Sequence, residues 1–518
     1  MSEPFLSQDS KTTRTSRGLI PRRRTRAQLV ALILPVIALA ATGCRFHSVK
    51  ENPAPPVPKT ERFLEAAGEG LALPTPEQRW WRAFDRVPED GELDHLVEQA
   101  LSGNFDLRAG WARLSAAVST KDQANAVLLP QLTGNASMQR SRQNIQFGSL
   151  GSQTFYNTTT RLTLGLSYEL DIWGRALSLR KASIHDMRAS RADIEAFAQT
   201  LAGQVTETWL GIVQQRATLE LLERQETVAA DFLALVEERF RQAAVTAVDV
   251  LQQRRQLASV RTELPPARQE LAVLEHRLAV LLGKPPGQAP TVQTRALPPL
   301  PPLPDPGVPA RLLERRPDLR AARLRVEAAD ERVGAAVADL LPTLRLSAEF
   351  GYQSFEISQL FDSFIGNLAA GLTAPLFDGG RRLAEIDRSD AVLFERLQQY
   401  GQAWITALQE VEDALARERE QKQLLSRLDE QIGLAEATLT RARESYLGGL
   451  ADYLTVLTAL QTVQTLERNR LAARGRLLSF RVQLHRALGG SWTDRIGAPR
   501  DLTRELDDEL SERGRSES

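Results

Sequence analysis

Five histidines (His47, His95, His185, His276 and His485) and one cysteine, Cys44, are the imidazole and thiol groups of this 518-residue chain, the first candidates to ligate a metal or attack a substrate. No two of the histidines stand close enough in sequence to share a helix face as a metal pair, so they read as surface or packing residues. A lone cysteine excludes an internal disulfide and any cysteine-based metal cluster. Gly379-Gly380 and Gly448-Gly449 are isolated pairs that read as turn glycines. No P-loop, dinucleotide fingerprint or nucleophile elbow accompanies them. Carboxylates are plentiful but scattered among arginines, as on solvated helix faces. The expectation is a chain that is not an enzyme and that uses neither metal nor cofactor.

Cys44 has a different chemistry open to it. Arg22, Arg23, Arg24 and Arg26 precede an apolar run from Leu29 to Ala41, and Ala41-Thr42-Gly43 leads into Cys44. That is the order of a secretory signal: basic segment, short apolar segment, small residues at the cleavage point. The apolar run is too short for a membrane-spanning helix. With cysteine directly after the small residues, the segment resembles a bacterial lipoprotein signal, in which Cys44 becomes the acylated first residue. An ordinary signal peptide with an incidental cysteine stays open, and either reading exports the chain. Glu51 to Lys59, ENPAPPVPK, cannot be helical and reads as an extended tether.

The remaining elements are read from periodicity. Leu162, Leu164, Leu166, Tyr168 and Leu170 alternate with Arg161, Thr163, Gly165, Ser167 and Glu169. A period of two predicts a strand with one oily and one polar face. Leu344, Leu346, Ala348, Phe350 and Tyr352 alternate with Thr343, Arg345, Ser347, Glu349 and Gly351 in the same way, and Leu132 to Gln139 does so more weakly. Four strands are expected, at about 130–140, 161–171, 342–353 and 367–376. The polar segments Ser141 to Thr160 and Ser354 to Gly366 read as surface loops. From Ala176 to Ala243 and from Leu383 to Leu447 there is no proline and little glycine, which predicts two very long helices with narrow apolar seams. Pro265-Pro266 reads as a joint in the helix that returns from the first of these.

The halves are copies of each other. Phe105-Asp106-Leu107-Arg108-Ala109 matches Pro317-Asp318-Leu319-Arg320-Ala321 at an offset of 212, and Gly174-Arg175, Val250-Leu251 and Leu282-Gly283 match Gly380-Arg381, Val456-Leu457 and Leu488-Gly489 at an offset of 206. A six-residue change in loop length accounts for the difference, so the chain is an internal duplication. The organisation read from this is a signal peptide at 1–43, a lipidated tether with a short helical segment at 44–92, a first repeat at 93–296, a Pro-rich linker at 297–310, a second repeat at 311–490 and a disordered tail at 491–518. The fold class is mainly α with a β-barrel portion.

Composition agrees. Aromatics are only 6% and the 65 acidic residues balance 65 basic ones, so no bulk positive field recruits nucleic acid. Four strands cannot close a barrel, and an open edge cannot face lipid because its amides would go unsatisfied. Several chains must therefore pool their strands. Leu162, Leu164, Leu166, Tyr168, Leu344, Leu346 and Phe350 are the expected lipid-facing side chains, with Thr, Ser, Arg and Glu toward a wet lumen.

YELDIWGR at Tyr168 to Arg175, RRPDLRAA at Arg315 to Ala322 and PLFDGGR at Pro375 to Arg381, on this duplicated plan behind a signal and cysteine, resemble the TolC-like outer-membrane efflux proteins, specifically the OprM-type lipoprotein branch. The resemblance implies a lipid-anchored homotrimer in the outer membrane of a Gram-negative bacterium, with a twelve-stranded barrel and a long periplasmic helical tunnel. It would be the exit duct of a tripartite pump with a periplasmic adaptor protein and an inner-membrane RND-type transporter. It further implies that Ala243, Ala244, Val245, Thr246, Gly449, Leu450, Ala451 and Asp452, at two hairpin tips, dock the adaptor. Leu454 matches a constricting leucine. Thr458 stands where the family often has a gating carboxylate, which leaves Asp249 and Asp452 as acidic alternatives. The competing reading is a periplasmic structural or adaptor-like coiled-coil lipoprotein.

Overall fold

A helix of 67 residues, about 100 Å long at ~1.5 Å per residue, occurs twice: α3 (Arg175–Arg241) and α7 (Arg381–Leu447). The computed structural model describes residues 47–498 apart from 51, 58–62, 65–78, 86–90, 147, 149–151 and 305–308. The expected signal peptide and Cys44 lie outside the described residues. The elements run α1 (Glu92–Gly103), α2 (Phe105–Ala126), β1 (Gln131–Gln146), β2 (Ser152–Leu170), α3 and α4 (Ala247–Leu281). A single turn α5 (Leu312–Arg315) opens the second half, followed by α6 (Pro317–Ala338), β3 (Thr343–Ser354), β4 (Phe364–Thr373), α7 and α8 (Tyr453–Leu488).

The strands and the helices form separate compact units. In the strand unit the order is β1-β2-β3-β4, every neighbour antiparallel. The register pairs Leu132 with Leu166, Leu162 with Tyr352, Leu164 with Phe350 and Leu346 with Ala370, which keeps one oily face continuous across the sheet. The first hairpin is longer than its hydrophobic alternation indicates. Most of the segment expected as a loop, Ser141 to Thr160, is strand, pairing Ser141 with Asn157 and Gln146 with Ser152. Alternation of oily and polar residues marks only strand that meets a boundary between two media, whereas backbone pairing continues through Thr, Tyr and Phe, which fit a pleated surface anyway.

In the helical unit α3 packs along α4, α6 and α8, and α7 along α6 and α8. The main core gathers Trp80, Trp81, Phe84, Trp111, Trp209 and Trp492 around α1, α2 and the middle of α3. Trp492 is buried against Trp81, ring centroids 4.6 Å apart, so the segment expected to be disordered from 491 begins with a packed 3-10 turn, Ser491–Arg495; the rest of it, from 499, lies outside the described residues. The tether is likewise docked where it is described. Asp330 accepts hydrogen bonds from Lys50 N (2.8 Å) and pairs with His47 (2.6 Å), Pro56 lies against Gly401, and Phe63 is buried with Leu312, Leu319 and Trp404. Proline removes the donors a strap could use in a sheet, so the segment is held by apolar contact and by its few remaining amides. Pro265 and Pro266 make no joint, because α4 runs through both. Leu264 and Ala267 on either side are buried with Leu222, and Gln215 Nε2 donates to Ala267 O at 2.9 Å. Packing on both sides offsets the roughly 3 kcal/mol that an interior proline costs.

The duplication recurs in geometry. Asn104 caps α2 through Oδ1, which accepts from the amides of Asp106 and Leu107, and its Nδ2 donates to Leu281 O (3.1 Å). At the matching position of the second repeat Arg316 donates to Ala487 O (3.0 Å) and to Glu410 (2.7 Å). Gly283 and Gly489 sit beside these joints with φ of +72° and +75°, and a Cβ on Gly283 would come within 2.1 Å of Gly103 O.

Candidate conduit wall and helical tips

The two sheet faces differ in kind. Leu162, Leu164, Leu166, Leu346 and Phe350 are exposed large hydrophobics; Tyr168 and Leu344 are half-buried on the same face. Met138, Leu132, Phe364, Leu368 and Leu372 join them there. Tyr352, Phe361 and Phe364 form an edge-to-face cluster with centroids 5.4 and 5.9 Å apart, an aromatic rim of the type found where a barrel wall leaves hydrocarbon. The opposite face is polar, with Arg345 3.3 Å from Glu169 and Arg161 3.6 Å from Glu349. Both outer edges, β1 and β4, lack a strand neighbour among the described residues.

The strand-to-helix turns need glycine. Gly174 has φ +76° and Gly380 φ +86°, a left-handed backbone that costs a side-chain-bearing residue roughly 1 kcal/mol or more. In the second copy Asp378 accepts from Gly380 N (3.2 Å) and Arg382 Nη1 (3.1 Å), while Arg382 Nε reaches Asp339 at 2.9 Å.

The tips of the long helical pairs bring the remaining sequence-derived candidates into view. Ala243, Ala244 and Thr246 are exposed and Val245 is half-buried; Gly449, Leu450 and Asp452 are exposed and Ala451 is half-buried. Asp249 is engaged locally: its carboxylate accepts from Thr246 N and Thr246 Oγ1, both at 2.8 Å, and Thr246 Oγ1 accepts from Asp249 N, a capping box for α4. Asp452 starts α8 without a side-chain cap. Leu454 is exposed beside the buried Tyr453, and Thr458 Oγ1 donates back to Leu454 O at 2.8 Å.

Inward of the tips lies a polar layer that sequence reading missed. Tyr453 donates to Gln253 Oε1 and Gln253 donates to Ala229 O (2.7 Å). Gln256 donates to Gln464 Oε1 (3.2 Å), and Gln225 donates to Gln464 O (3.2 Å) while accepting from Arg468 (2.7 Å). Gln253, Gln256, Gln225 and Gln464 are all buried. Burial pushes the Tyr453 hydroxyl far above its ordinary pKa, so it keeps the proton that it donates to Gln253. The clue available in sequence was glutamine recurring inside otherwise apolar seams. Among the described residues no three His, Cys, Asp or Glu side chains come together as a metal site, and no helix is long and apolar enough to cross a membrane.

Comparison with known proteins assigns this architecture. The model of the outer membrane efflux protein family matches residues 96–284 and again 308–490, one match for each repeat. The pyoverdine export outer membrane protein OpmQ of Pseudomonas putida is 32% identical over 84% of this chain and 94% of its own length. The outer membrane protein OprJ of Pseudomonas aeruginosa is 30% identical over 89% and 95%. Among solved structures, the outer-membrane channel OprN superposes with a TM-score of 0.80 at 27% identity, over 87% of this chain and all of that one. CusC superposes with a TM-score of 0.75 at 26% identity, over 86% and all of that chain. With a doubled helical plan, a sheet open at both edges and a continuous oily face, this chain belongs to the outer membrane efflux protein family and is an outer-membrane efflux channel.

Proposed function

We propose that three copies pool their strands into a twelve-stranded barrel and that the assembly is the passive exit duct of a tripartite pump, its helices forming the periplasmic tunnel. The observation that carries this reading is a four-stranded sheet with two unpaired edges and one exposed oily face. In hydrocarbon each unpaired edge amide costs several kcal/mol, so lipid insertion demands closure by further copies. The oily residues Leu162, Leu164, Leu166, Tyr168, Leu344, Leu346 and Phe350 face lipid, and the charged pairs of the other face line a wet lumen that tolerates varied solutes. Cys44 is the acylated anchor.

The exposed tip residues Ala243 to Thr246 and Gly449 to Asp452 meet a periplasmic adaptor, which couples the duct to an inner-membrane RND-type transporter. Leu454 and Thr458 narrow the tunnel end. Asp249, whose carboxylate is already satisfied by Thr246, supports that constriction by fixing the start of α4 rather than by presenting free charge. The relatives are transport proteins, and this reading assigns the chain no catalysis and no cofactor.

Membrane fractionation tests the proposal: the chain is expected in the outer membrane as a heat-sensitive oligomer, and recovery as a soluble monomer overturns it. Leu166→Arg is expected to cost about 2–4 kcal/mol near mid-bilayer and to lower oligomer yield, measured on denaturing gels without heating. A normal yield removes Leu166 from the lipid face.

A further inference from the structure

Past the oily band, the outward face of the first hairpin changes character. The register places Arg140 opposite Thr158 and Arg142 opposite Tyr156, on the same face as Met138, Leu162 and Leu164. Both guanidinium groups lie over one ring: Arg140 is 5.4 Å and Arg142 5.8 Å from the Tyr156 centroid. From Gln131 to Tyr168 the sequence contains Arg140, Arg142 and Arg161 and no aspartate or glutamate. Arg161 points to the other face and reaches Glu349. No ion pair engages Arg140 or Arg142 among the described residues.

Two like charges gathered on one aromatic ring without a counter-ion form a preorganised anion fork, the ring orienting donors that are themselves planar and bidentate. Its height identifies the occupant. All four connections leading out of the sheet, at Pro130, Gly174, Leu341 and Pro375, lie at one end of the strands; the hairpin tips lie at the other. The aromatic rim row pairs Leu162 with Tyr352 and Tyr352 with Phe364, and Ala136 sits in the same row. Arg140 follows four residues later, about 14 Å along the strand at ~3.4 Å per residue, or about 10 Å along the membrane normal for a tilt of roughly 40°. That level is the headgroup layer, where a phosphate meets an arginine at the edge of hydrocarbon.

We infer that Arg140, Arg142 and Tyr156 bind the phosphate of an anionic glycolipid headgroup in the outer leaflet, one such site on each copy of the chain. The inference rests on the proposed barrel reading, because only that reading puts the oily face in lipid and the hairpin tips outside the cell. The second hairpin provides no equivalent: at its tip stand Glu356, Phe361 and Asp362 rather than arginine. The binding face is therefore confined to the first hairpin of each copy, and lipid contact around the barrel alternates between basic and aromatic staves.

Native mass spectrometry of the full-length oligomer with bis-phosphorylated lipid A, chemically dephosphorylated lipid A and inorganic phosphate tests this. The wild type is expected to retain the phosphorylated lipid at least tenfold better than the dephosphorylated one, with inorganic phosphate at equal concentration displacing neither. Arg140→Gln with Arg142→Gln is expected to abolish that preference. Arg140→Lys with Arg142→Lys keeps the charge but loses the fork, and retains part of it. Equal retention of both lipids by the wild type, or an unchanged preference in the double Gln variant, overturns the inference, and displacement by inorganic phosphate overturns the lipid assignment. Vesicle flotation separates the two levels. Failure to float with the membrane as an oligomer defeats the barrel reading, whereas flotation without phosphate preference defeats only the glycolipid site.

Discussion

Where the first repeat carries Ile212, the second carries Glu418; where the first has Glu275, the second has Arg481; and Ala279 is answered by His485. Ile212 and Ala279 are fully buried in apolar surroundings, and Glu275 lies at the surface, 3.0 Å from Arg216. In the second repeat the same three positions form a buried polar knot. Arg481, 1% exposed, is held by Glu418 and donates to the carbonyl of Pro301, and His485 stacks on Trp80 with centroids 5.5 Å apart. At this level of α8 the inter-repeat linker passes close enough for the Pro301 carbonyl to take a bond from Arg481. A proline-rich segment offers carbonyls without a ladder to receive them, and a buried arginine supplies the missing donor. One helical plan thus carries an apolar core at these positions in the first repeat and a charged one in the second, where Arg481 holds the Pro301 carbonyl.

Cutting one half of the buried pair should separate the two solutions most sharply. Glu418→Ala leaves Arg481 buried without a carboxylate and is expected to destabilise the helical unit by about 3–5 kcal/mol, measured by denaturant unfolding. The double replacement Glu418→Ile with Arg481→Met imitates the first repeat at position 418 and should recover most of that loss. A double variant as unstable as the single one would show that the bond to Pro301, not charge pairing, is what the second repeat needs.

The same contrast predicts a pH dependence. Burial holds the His485 imidazole down at about 3, with Arg481 adding to the shift and Glu418 opposing it. The unfolded chain therefore takes up this proton first. The stability from keeping His485 neutral is complete above its ordinary pKa, about 6.5, and is lost as pH falls toward the folded value. Burial would raise the Glu418 carboxyl, but Arg481 and Lys422 hold it below its ordinary range, so its own contribution fades only at more acid pH. Between about pH 6.5 and 5 the histidine alone is expected to cost on the order of 2 kcal/mol. His485→Phe, which keeps a ring on Trp80, should flatten that slope; Ala279 gives the first repeat nothing to titrate. An unchanged slope would locate the pH sensitivity elsewhere.

How far these differences were legible in sequence follows from what each depends on. The strands, the 67-residue helices and the duplication announce themselves through alternation and a fixed offset, both local or self-referential properties. The knot does not, because Glu418 and Arg481 are 63 positions apart and read singly as surface charges on a charged helix. Pro265-Pro266 was misleading for a related reason. A proline's cost is local, but the contacts of Leu264 and Ala267 that offset it come from α3. The docked tether and the buried Trp492 are further cases in which composition described a segment's freedom and a distant surface removed it. At the tips, the residues were located by the breaks in helical pattern, while the glutamine layer appeared only when α3, α4 and α8 were side by side.

The tips themselves form a second, finer comparison. Ala243 and Gly449 occupy equivalent positions, and both are left-handed, with φ of +51° and +73°. Alanine there carries strain that glycine does not. Ala243→Gly should relieve the first tip by about 1 kcal/mol and Gly449→Ala should cost the second about the same. A Cβ on Gly449 would meet nothing within 4 Å, so the penalty is conformational rather than steric crowding. Hydrogen exchange at the tip amides reads this better than a global melting temperature, because the tips open locally. Equal and opposite shifts would show that the two tips differ chiefly by this strain; a silent Ala243→Gly would show that the loop relaxes it.

The smallest effect separates the caps. Thr246 and Asp452 are the equivalent N-cap residues of α4 and α8, yet only Thr246 makes the reciprocal bond, to Asp249, and Asp249 is answered in the second repeat by Thr455. Thr246→Ala is expected to cost about 1 kcal/mol of local stability at the start of α4 and Asp452→Ala only a few tenths at the start of α8. Thr455→Asp places a carboxylate where the first repeat has one, three residues after a cap that is itself acidic. The like charges of Asp452 and the new aspartate should prevent a box from forming, so exchange at the start of α8 should not slow. If it does slow, the second tip is limited by a missing partner rather than by the identity of its cap, and the asymmetry between the tips reduces to one side chain.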